Sequence, residues 1–249
     1  MATAPPEDQR RLLEVQALDT RLQQLTHQRR THPSLAALAE LEKRIADLHG
    51  SLVDSRTAVG DLERELAKSE ADVAQVRARA ERDQHKLDSG ALSAKDSQAL
   101  VSELESLGRR QSVLEDAELE VMERLEAHQE SLAKVEAAHA DLVAGKEKAT
   151  AERDAAWAEI DTTGRRVAGE RAAAVAGLDA GLVTLYDRLR GQLGGQGAAA
   201  LRGGRCEGCR LELNAGDLAA VRSAAPDQVV RCEECGRILV RVVDDAAAA

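Results

Sequence analysis

Aromatic side chains are nearly missing from this chain: among 249 residues there is no Phe, one Tyr (Tyr186) and one Trp (Trp157). A compact enzyme of this length draws much of its core volume from aromatic rings, so a single globular core is not the expected architecture. Long apolar runs are missing as well. No stretch of about 18 apolar residues occurs, which excludes a membrane-spanning helix. The polar segment Met1–Arg11 lacks the apolar stretch of a signal peptide, so the chain is expected in the cytoplasm, where thiols stay reduced. Cysteine is scarce and confined to Cys206, Cys209, Cys232 and Cys235, all in the last fifth of the sequence.

What fills the chain instead is Ala, Leu, Val and charge, with 31% charged residues and a net charge of −10. Leucine and valine recur throughout, which argues against disorder. The composition points to long helices packed along narrow seams.

A first helix is expected from Pro6, with Glu7 and Asp8 suiting the positive end of its dipole. Its apolar stripe is Val15, Leu18, Leu22 and Leu25. A break near 31–34 follows, because Pro33 disfavours helical geometry at His32, and Ser34 is the expected cap of the next helix. From Ser34 to Asp88 one seam position reads Leu38, Ile45, Leu52, Val59, Leu66, Val73, Ala80 and Leu87. The other reads Leu41, Leu48, Ser55, Leu62, Ser69, Val76 and Asp83. This is an a/d heptad with charged flanks, the pattern of a coiled coil.

A turn is expected near 88–95, with Gly90 as a left-handed cap and Ser93–Asp96 as a capping box. The next seam runs through Leu100, Leu104, Leu107, Gln111, Leu114, Glu118, Val121, Leu125, His128, Leu132, Val135, His139 and Leu142. Its polar members, Gln111, Glu118, His128 and His139, are read as fixing register or as sitting where the arms splay. Two long heptad helices joined by so short a turn run antiparallel. Residues 1–193 are thus expected to form a long antiparallel coiled-coil hairpin, with the first helix alongside its second arm. A kink or break is expected at Gly164 and Gly169. An apolar stripe resumes at Val175, Leu178, Leu182, Leu185, Leu189 and Leu193, and apolar surface left uncovered on the first helix or near Leu182–Leu193 is a candidate dimer face.

Gly194-Gly195-Gln196-Gly197 marks a boundary, and residues 194–249 read as a separate small module. Its signature is Cys206-Glu207-Gly208-Cys209 and, after 22 intervening residues, Cys232-Glu233-Glu234-Cys235-Gly236. Each CxxC presents two sulfurs, and two such turns complete a tetrahedral thiolate site suited to one structural Zn²⁺. Gly236 permits the positive φ such a turn needs, whereas Arg210 stands in the equivalent place, so the two turns are expected to differ. Gln228–Arg231 and Arg237–Val243 are β-prone, Asp217–Arg222 suits a short helix, and Ala246–Ala249 reads as a frayed tail. With about 50 residues and no aromatic ring, the module has too little core to fold unaided, and zinc supplies the missing stability. Four protein ligands leave no open position for an activated water. The module also holds no His, Tyr or Lys and a lone Ser223, so catalysis is not expected.

These residues, with Leu185–Arg190 ahead of the module and Ser97–Leu107 behind the hairpin turn, make the sequence resemble bacterial C4-type zinc ribbon proteins with a coiled-coil hairpin. The resemblance covers nearly the whole chain. It implies a mostly α protein with a small C-terminal β zinc ribbon, acting as a non-enzymatic adaptor. In that family some members are implicated in binding an alternative sigma factor, and some in binding messenger RNA. Val240 stands where family members often carry an aromatic residue, so no contact of such a ring is carried over.

Charge bears on the partner. Residues 194–249 hold seven arginines against eight acidic residues, and the remainder of the chain has a net charge of −9. Neither part is the basic body of a strong nucleic-acid binder, and the ribbon lacks an aromatic platform for stacking bases. The leading reading is an adaptor that presents the ribbon, and the hairpin turn, to a protein of the transcription machinery such as a sigma factor. The alternative is RNA or DNA binding through Arg202, Arg205, Arg210, Arg231 and Arg237, since Arg engages phosphate or carboxylate bidentately. A zinc-dependent or dithiol enzyme is the third class. Neither a small-molecule substrate nor a membrane is expected as a partner. Metal analysis of the purified chain is expected to return one zinc per chain, with all four thiols protected from Ellman's reagent; redox cycling of the thiols would replace this reading with the third class.

Overall fold

The computed structural model describes residues 2–242; the expected strand end at Val243 and the tail Ala246–Ala249 lie outside them. The order is α1 (Pro6–Arg30), α2 (Pro33–Asp88), α3 (Ala94–Val175), α4 (Ala180–Gln192), β1 (Ala198–Arg202), β2 (Arg205–Cys206), α5 (Ala215–Ser223), β3 (Val230–Arg231) and β4 (Ile238–Arg241). By compactness the chain forms two units, Ala36–Thr150 and Met1–Leu35 with Ala151–Ala249. Packing thus divides the chain elsewhere than the composition change at 193/194.

The unit 36–150 is an antiparallel coiled-coil hairpin. Every seam residue named for α2 from Leu38 onward is buried or half-buried, with Leu38, Leu52, Val59, Leu62, Val73 and Asp83 the most enclosed. Val59, Leu62 and Leu66 of α2 meet Leu125 and Leu132 of α3 in one cluster. Ion pairs along the flanks record the direction: Glu42–Lys146 at 2.9 Å, Arg56–Glu136 at 2.8 Å, Glu65–Arg124 at 3.1 Å and Arg79–Glu103 at 2.6 Å. As the α2 partner advances the α3 partner retreats. Exposed pairs of this kind add little stability each, and the apolar seam carries the packing. Gln111, Glu118 and His139 are half-buried and His128 is exposed, so of the two readings for the polar seam residues His128 does not fit register-setting.

The helix ends show what the local sequence does. Gly90 takes φ +67, and Ser93 Oγ accepts from Asp96 N at 3.2 Å, capping α3 as expected. At the start of α2 the cap is His32 rather than Ser34: Ser34 N donates to His32 Nδ1 at 3.3 Å. Pro33, which has no N–H to satisfy, occupies the first helical position and shifts the cap back by two residues.

Of the kink or break expected at Gly164 and Gly169, the break does not occur: α3 runs unbroken through both to Val175. Glycine costs about 1 kcal/mol per site in a helix. Packing of the same stretch outweighs that: Val167 is buried, Arg29 pairs with Asp161 at 2.8 Å, and the Arg29 and Arg153 guanidiniums sit 4.9 and 5.0 Å from the Trp157 ring centroid. The break falls instead at 176–179, within the stripe expected to continue. Gly177 has φ +79, the Asp179 side chain caps α4 by accepting from Leu182 N at 2.8 Å, and Arg11 Nη2 reaches the Ala174 carbonyl at 3.1 Å. The end of α3 thus gains a donor for one of its last carbonyls, and the start of α4 an acceptor for one of its first N–H groups.

The sheet has strand order β2-β1-β4-β3, with β1 and β4 parallel and the outer pairs antiparallel. Side chains alternate across it, as a pleated strand requires. Ala198, Ile238 and Val240 face α1 and α4, sharing a core with Leu12, Val15, Leu182, Tyr186 and Leu189. Ala199, Leu201 and Leu239 face the other way, onto α5 and the cysteines. The ribbon is therefore not the isolated module expected: it borrows the single tyrosine and two helices for its core. The same contact buries Leu182 and Leu189 and removes them as a dimer face.

One polar junction ties these pieces. Asp19 of α1 has no exposed surface; its carboxylate accepts from Arg171 Nε at 2.7 Å and Tyr186 OH at 2.8 Å, with Arg190 Nε at 3.4 Å. Burial, then the hydrogen bond to Asp19, pushes the Tyr186 phenol far above its ordinary range, while the same carboxylate raises Arg171. One turn earlier, Gln16 Oε1 accepts from Gly197 N at 2.8 Å and its Nε2 donates to the Gly195 carbonyl at 3.1 Å, fixing the entry to β1. Removing one partner of a buried ion pair leaves an uncompensated charge, so Asp19→Ala is expected to lower unfolding free energy by about 3–5 kcal/mol. Tyr186→Phe, which leaves the ion pairs intact, is expected to lose about 1–2 kcal/mol. Urea unfolding followed by fluorescence of Trp157, which lies in this unit, checks both; equal and small losses would show that the junction is not what holds it.

Candidate metal centre

The second CxxC sits in the tight turn between β3 and β4, where Cys232 N donates to the Arg237 carbonyl at 2.9 Å. The first follows β2, where Cys206 N donates to the Leu211 carbonyl at 3.0 Å. Each turn closes on its own first cysteine: Arg210 N donates to the Cys206 carbonyl at 2.7 Å, and Gly236 N to the Cys232 carbonyl at 2.8 Å. The parallel pairing of β1 and β4 sets the turns side by side. They were expected to differ, but their backbones match: Arg210 adopts φ +62 and Gly236 φ +73. Arg210 is the one non-glycine residue with positive φ among the described residues. Sterics separate the positions, since a Cβ at Gly236 would stand 3.0 Å from Arg231 Nη2. Gly208 is needed for another reason, because a Cβ there would come within 2.9 Å of the Ala199 Cβ.

The ligand-bearing atoms of Cys206, Cys209, Cys232 and Cys235 all lie within 4.8 Å of one another. Cys206 Sγ and Cys235 Sγ are 3.9 Å apart, as are Cys209 Sγ and Cys232 Sγ. A tetrahedron with zinc–sulfur bonds of ~2.3 Å has edges of about 3.8 Å, so the sulfurs fit one zinc ion with little adjustment. Cys206 and Cys232 are buried, and Cys209 and Cys235 are half-buried.

Around the sulfurs the backbone is already aimed. N–H groups of Cys209 and Gly208 donate to Cys206, and those of Cys235 and Glu234 donate to Cys232. In the metal-free chain burial nevertheless pushes Cys206 up and Cys232 up to about 12. Burial opposes ionisation of Cys235 too, but the backbone N–H and guanidinium of Arg237, with the neighbouring thiols, bring it down to about 7. Such donors stabilise thiolate and orient it for the metal.

The five arginines singled out from the sequence do not act alike. Arg202 pairs with Glu207 at 3.2 Å and Arg205 with Glu212 at 3.6 Å. Arg231 Nε spans the second turn to the Gly236 carbonyl at 2.7 Å. Arg237 donates to the carbonyls of Gln196 at 3.1 Å and Leu193 at 3.4 Å, tying the sulfur cluster to the end of α4. Arg210 has no hydrogen bond or ion pair from its guanidinium among the described residues. Reading the sequence also missed Arg241, whose guanidinium gathers the carbonyls of Ala224, Ala225, Pro226 and Gln228 at 2.8–3.0 Å. No local signal marks such a clamp, since its partners are main-chain atoms of a loop.

Residues 15–194 match the CT398-like coiled coil hairpin domain, and residues 205–239 match the C4-type zinc ribbon domain. The uncharacterized protein Rv2229c of Mycobacterium tuberculosis is 40% identical over 239 residues, 94% of this chain and 95% of that protein. A solved structure from Mycobacterium smegmatis superposes with a TM-score of 0.82 at 36% identity, over 96% of this chain and 100% of that one. CT398 from Chlamydia trachomatis shares the fold, with a TM-score of 0.63 at 18% identity over 95% and 98% of the two chains.

Zinc takes thiolates, so every thiol still protonated in the metal-free chain releases its proton on binding, and affinity falls as pH falls. Above about pH 7 Cys235 is already ionised and drops out of that release, whereas Cys232 contributes throughout the neutral range. Chelator competition across pH 6 to 8 (roughly a decade either side of neutrality) is expected to show zinc retention rising with pH, with a slope that shallows by one proton near pH 7. A pH-independent affinity would exclude a thiolate site.

Proposed function

The chain belongs to the CT398-like coiled coil hairpin family and carries a C4-type zinc ribbon behind the hairpin, and from that footing we propose that it is a non-enzymatic, cytoplasmic adaptor docking onto a protein of the transcription or gene-expression machinery. The observation that carries this reading is the closed sulfur cluster: with four protein thiolates around one zinc, no coordination position is left for substrate or activated water. The zinc then stabilises a shape. Arg237, which binds both a ligand cysteine and the end of α4, makes that shape continuous with the helices.

A protein is the better-supported partner. The hairpin turns Val53, Leu92, Val101, Val113, Leu119 and Met122 toward solvent, and the ribbon does the same with Leu211. Exposed aliphatic side chains suit a protein surface better than a phosphate backbone. Of the seven ribbon arginines, Arg202 and Arg205 pair with glutamates and Arg231, Arg237 and Arg241 with carbonyls of their own unit, which reduces the free cationic charge available to RNA or DNA.

Affinity capture with the zinc-loaded chain tests the reading. RNA polymerase subunits or a sigma factor are expected to be retained from nuclease-treated lysate and lost with Cys232→Ser. Retention only while RNA or DNA is intact would reverse the choice of partner, and turnover of a small-molecule substrate by the pure protein would replace the adaptor altogether.

A further inference from the structure

Two turns with one backbone geometry make an internal comparison. Positive φ strains any residue with a Cβ. Gly236 meets this demand in the second turn, whereas Arg210 meets it in the first with a full side chain. Within the chain that side chain gains nothing: its guanidinium has no hydrogen-bond or ion-pair partner among the described residues, and it is exposed. Beside it stands Leu211, 51% exposed and the one large hydrophobic residue so exposed among the described residues of the unit that carries the ribbon. The Leu211 main chain is committed, because its carbonyl accepts from Cys206 N at 3.0 Å and holds the residue against the first sulfur.

We propose that Arg210 and Leu211 form the recognition point of the ribbon, taking a carboxylate and an adjacent aliphatic side chain of a partner protein; this deepens the adaptor reading and rests on it. A free guanidinium presents a planar fork matched to a carboxylate, and Leu211 supplies apolar area at its side. Charge decides against a polyanion. Glu207 and Glu212 flank the pair on the first turn, each already paired with an arginine of the module, so the surroundings of Arg210 are close to neutral. A nucleic-acid backbone would meet those two carboxylates, whereas a single Asp or Glu seated on Arg210 need not.

The test uses the full-length zinc-loaded protein and two probes, a displayed library of random peptides and single-stranded homopolymeric RNA. Wild type is expected to enrich peptides with Asp or Glu beside Leu, Ile or Val, and synthetic peptides of that consensus are expected to bind at least about 10-fold more weakly to Arg210→Gly and to Leu211→Ser. Arg210→Gly is expected to keep its zinc and to melt at the same temperature or slightly higher, since glycine relieves the strained φ. Lower zinc retention in Arg210→Gly would show that the side chain serves its own module and would overturn the proposal. So would Arg210-dependent RNA binding, or a selection without an acidic-aliphatic consensus. Capture of a transcription protein that survives Arg210→Gly and Leu211→Ser but fails on hairpin substitution sinks this inference and leaves the adaptor reading standing.

Discussion

Asp19 is a carboxylate with no access to water, and the arrangement of helices around the ribbon depends on keeping it satisfied. A charge withdrawn from solvent is tolerated only when paired and hydrogen-bonded. Here Arg171 near the end of α3 and Tyr186 in the middle of α4 donate hydrogen bonds, and Arg190 at the close of α4 adds an ion-pair contact at 3.4 Å. Each donor fixes the helix that carries it relative to α1. Gln16, one turn away, passes the constraint to the backbone at Gly197 and so to the first residue of β1. A chain with one tyrosine places it at this point, where the ring fills the apolar core and the hydroxyl closes the polar junction.

The ribbon is held from two faces by different physics. On one side Ala198, Ile238 and Val240 pack on α1 and α4, where burial of apolar area stabilises. On the other, sulfur, a metal ion and α5 close a core too small to stand alone. Arg237 joins the sides, donating to a ligand sulfur and to the carbonyls at the end of α4. Arg241 braces the loop before β3 in a similar way, through four carbonyls. Three of the ribbon arginines, Arg231, Arg237 and Arg241, thus brace backbone, and Arg202 and Arg205 pair with glutamates, whereas Arg210 does neither.

The hairpin and the metal ligands were legible because each depends on a short repeating rule. A heptad places apolar residues on one face wherever the helix goes, and the α2 seam is enclosed from Leu38 to Leu87 as that rule demands. Two CxxC turns bring sulfurs together almost irrespective of what surrounds them. Other elements follow no local rule. β1 is Ala-Ala-Ala-Leu-Arg, a run with helical preference, and it is a strand because it pairs with β4 and is buried on both faces. The α3–α4 break was missed because glycine was weighed at 164 and 169, where packing overrides it, and not at 177, where Asp179 stands ready to cap.

By itself the sequence determined the periodic and the covalently local: a two-helix seam, its turn, four thiols in two pairs, and the near-absence of aromatic bulk that rules out one large core. Only the tertiary structure decided that Asp19 would be buried, that Tyr186 would serve both its polar junction and the ribbon's core, and that Arg210 would take a glycine's conformation. The first two outcomes join residues 150 or more positions apart, so no window of sequence contains both parties, while the third is set by the first turn as it closes Arg210 N on the Cys206 carbonyl.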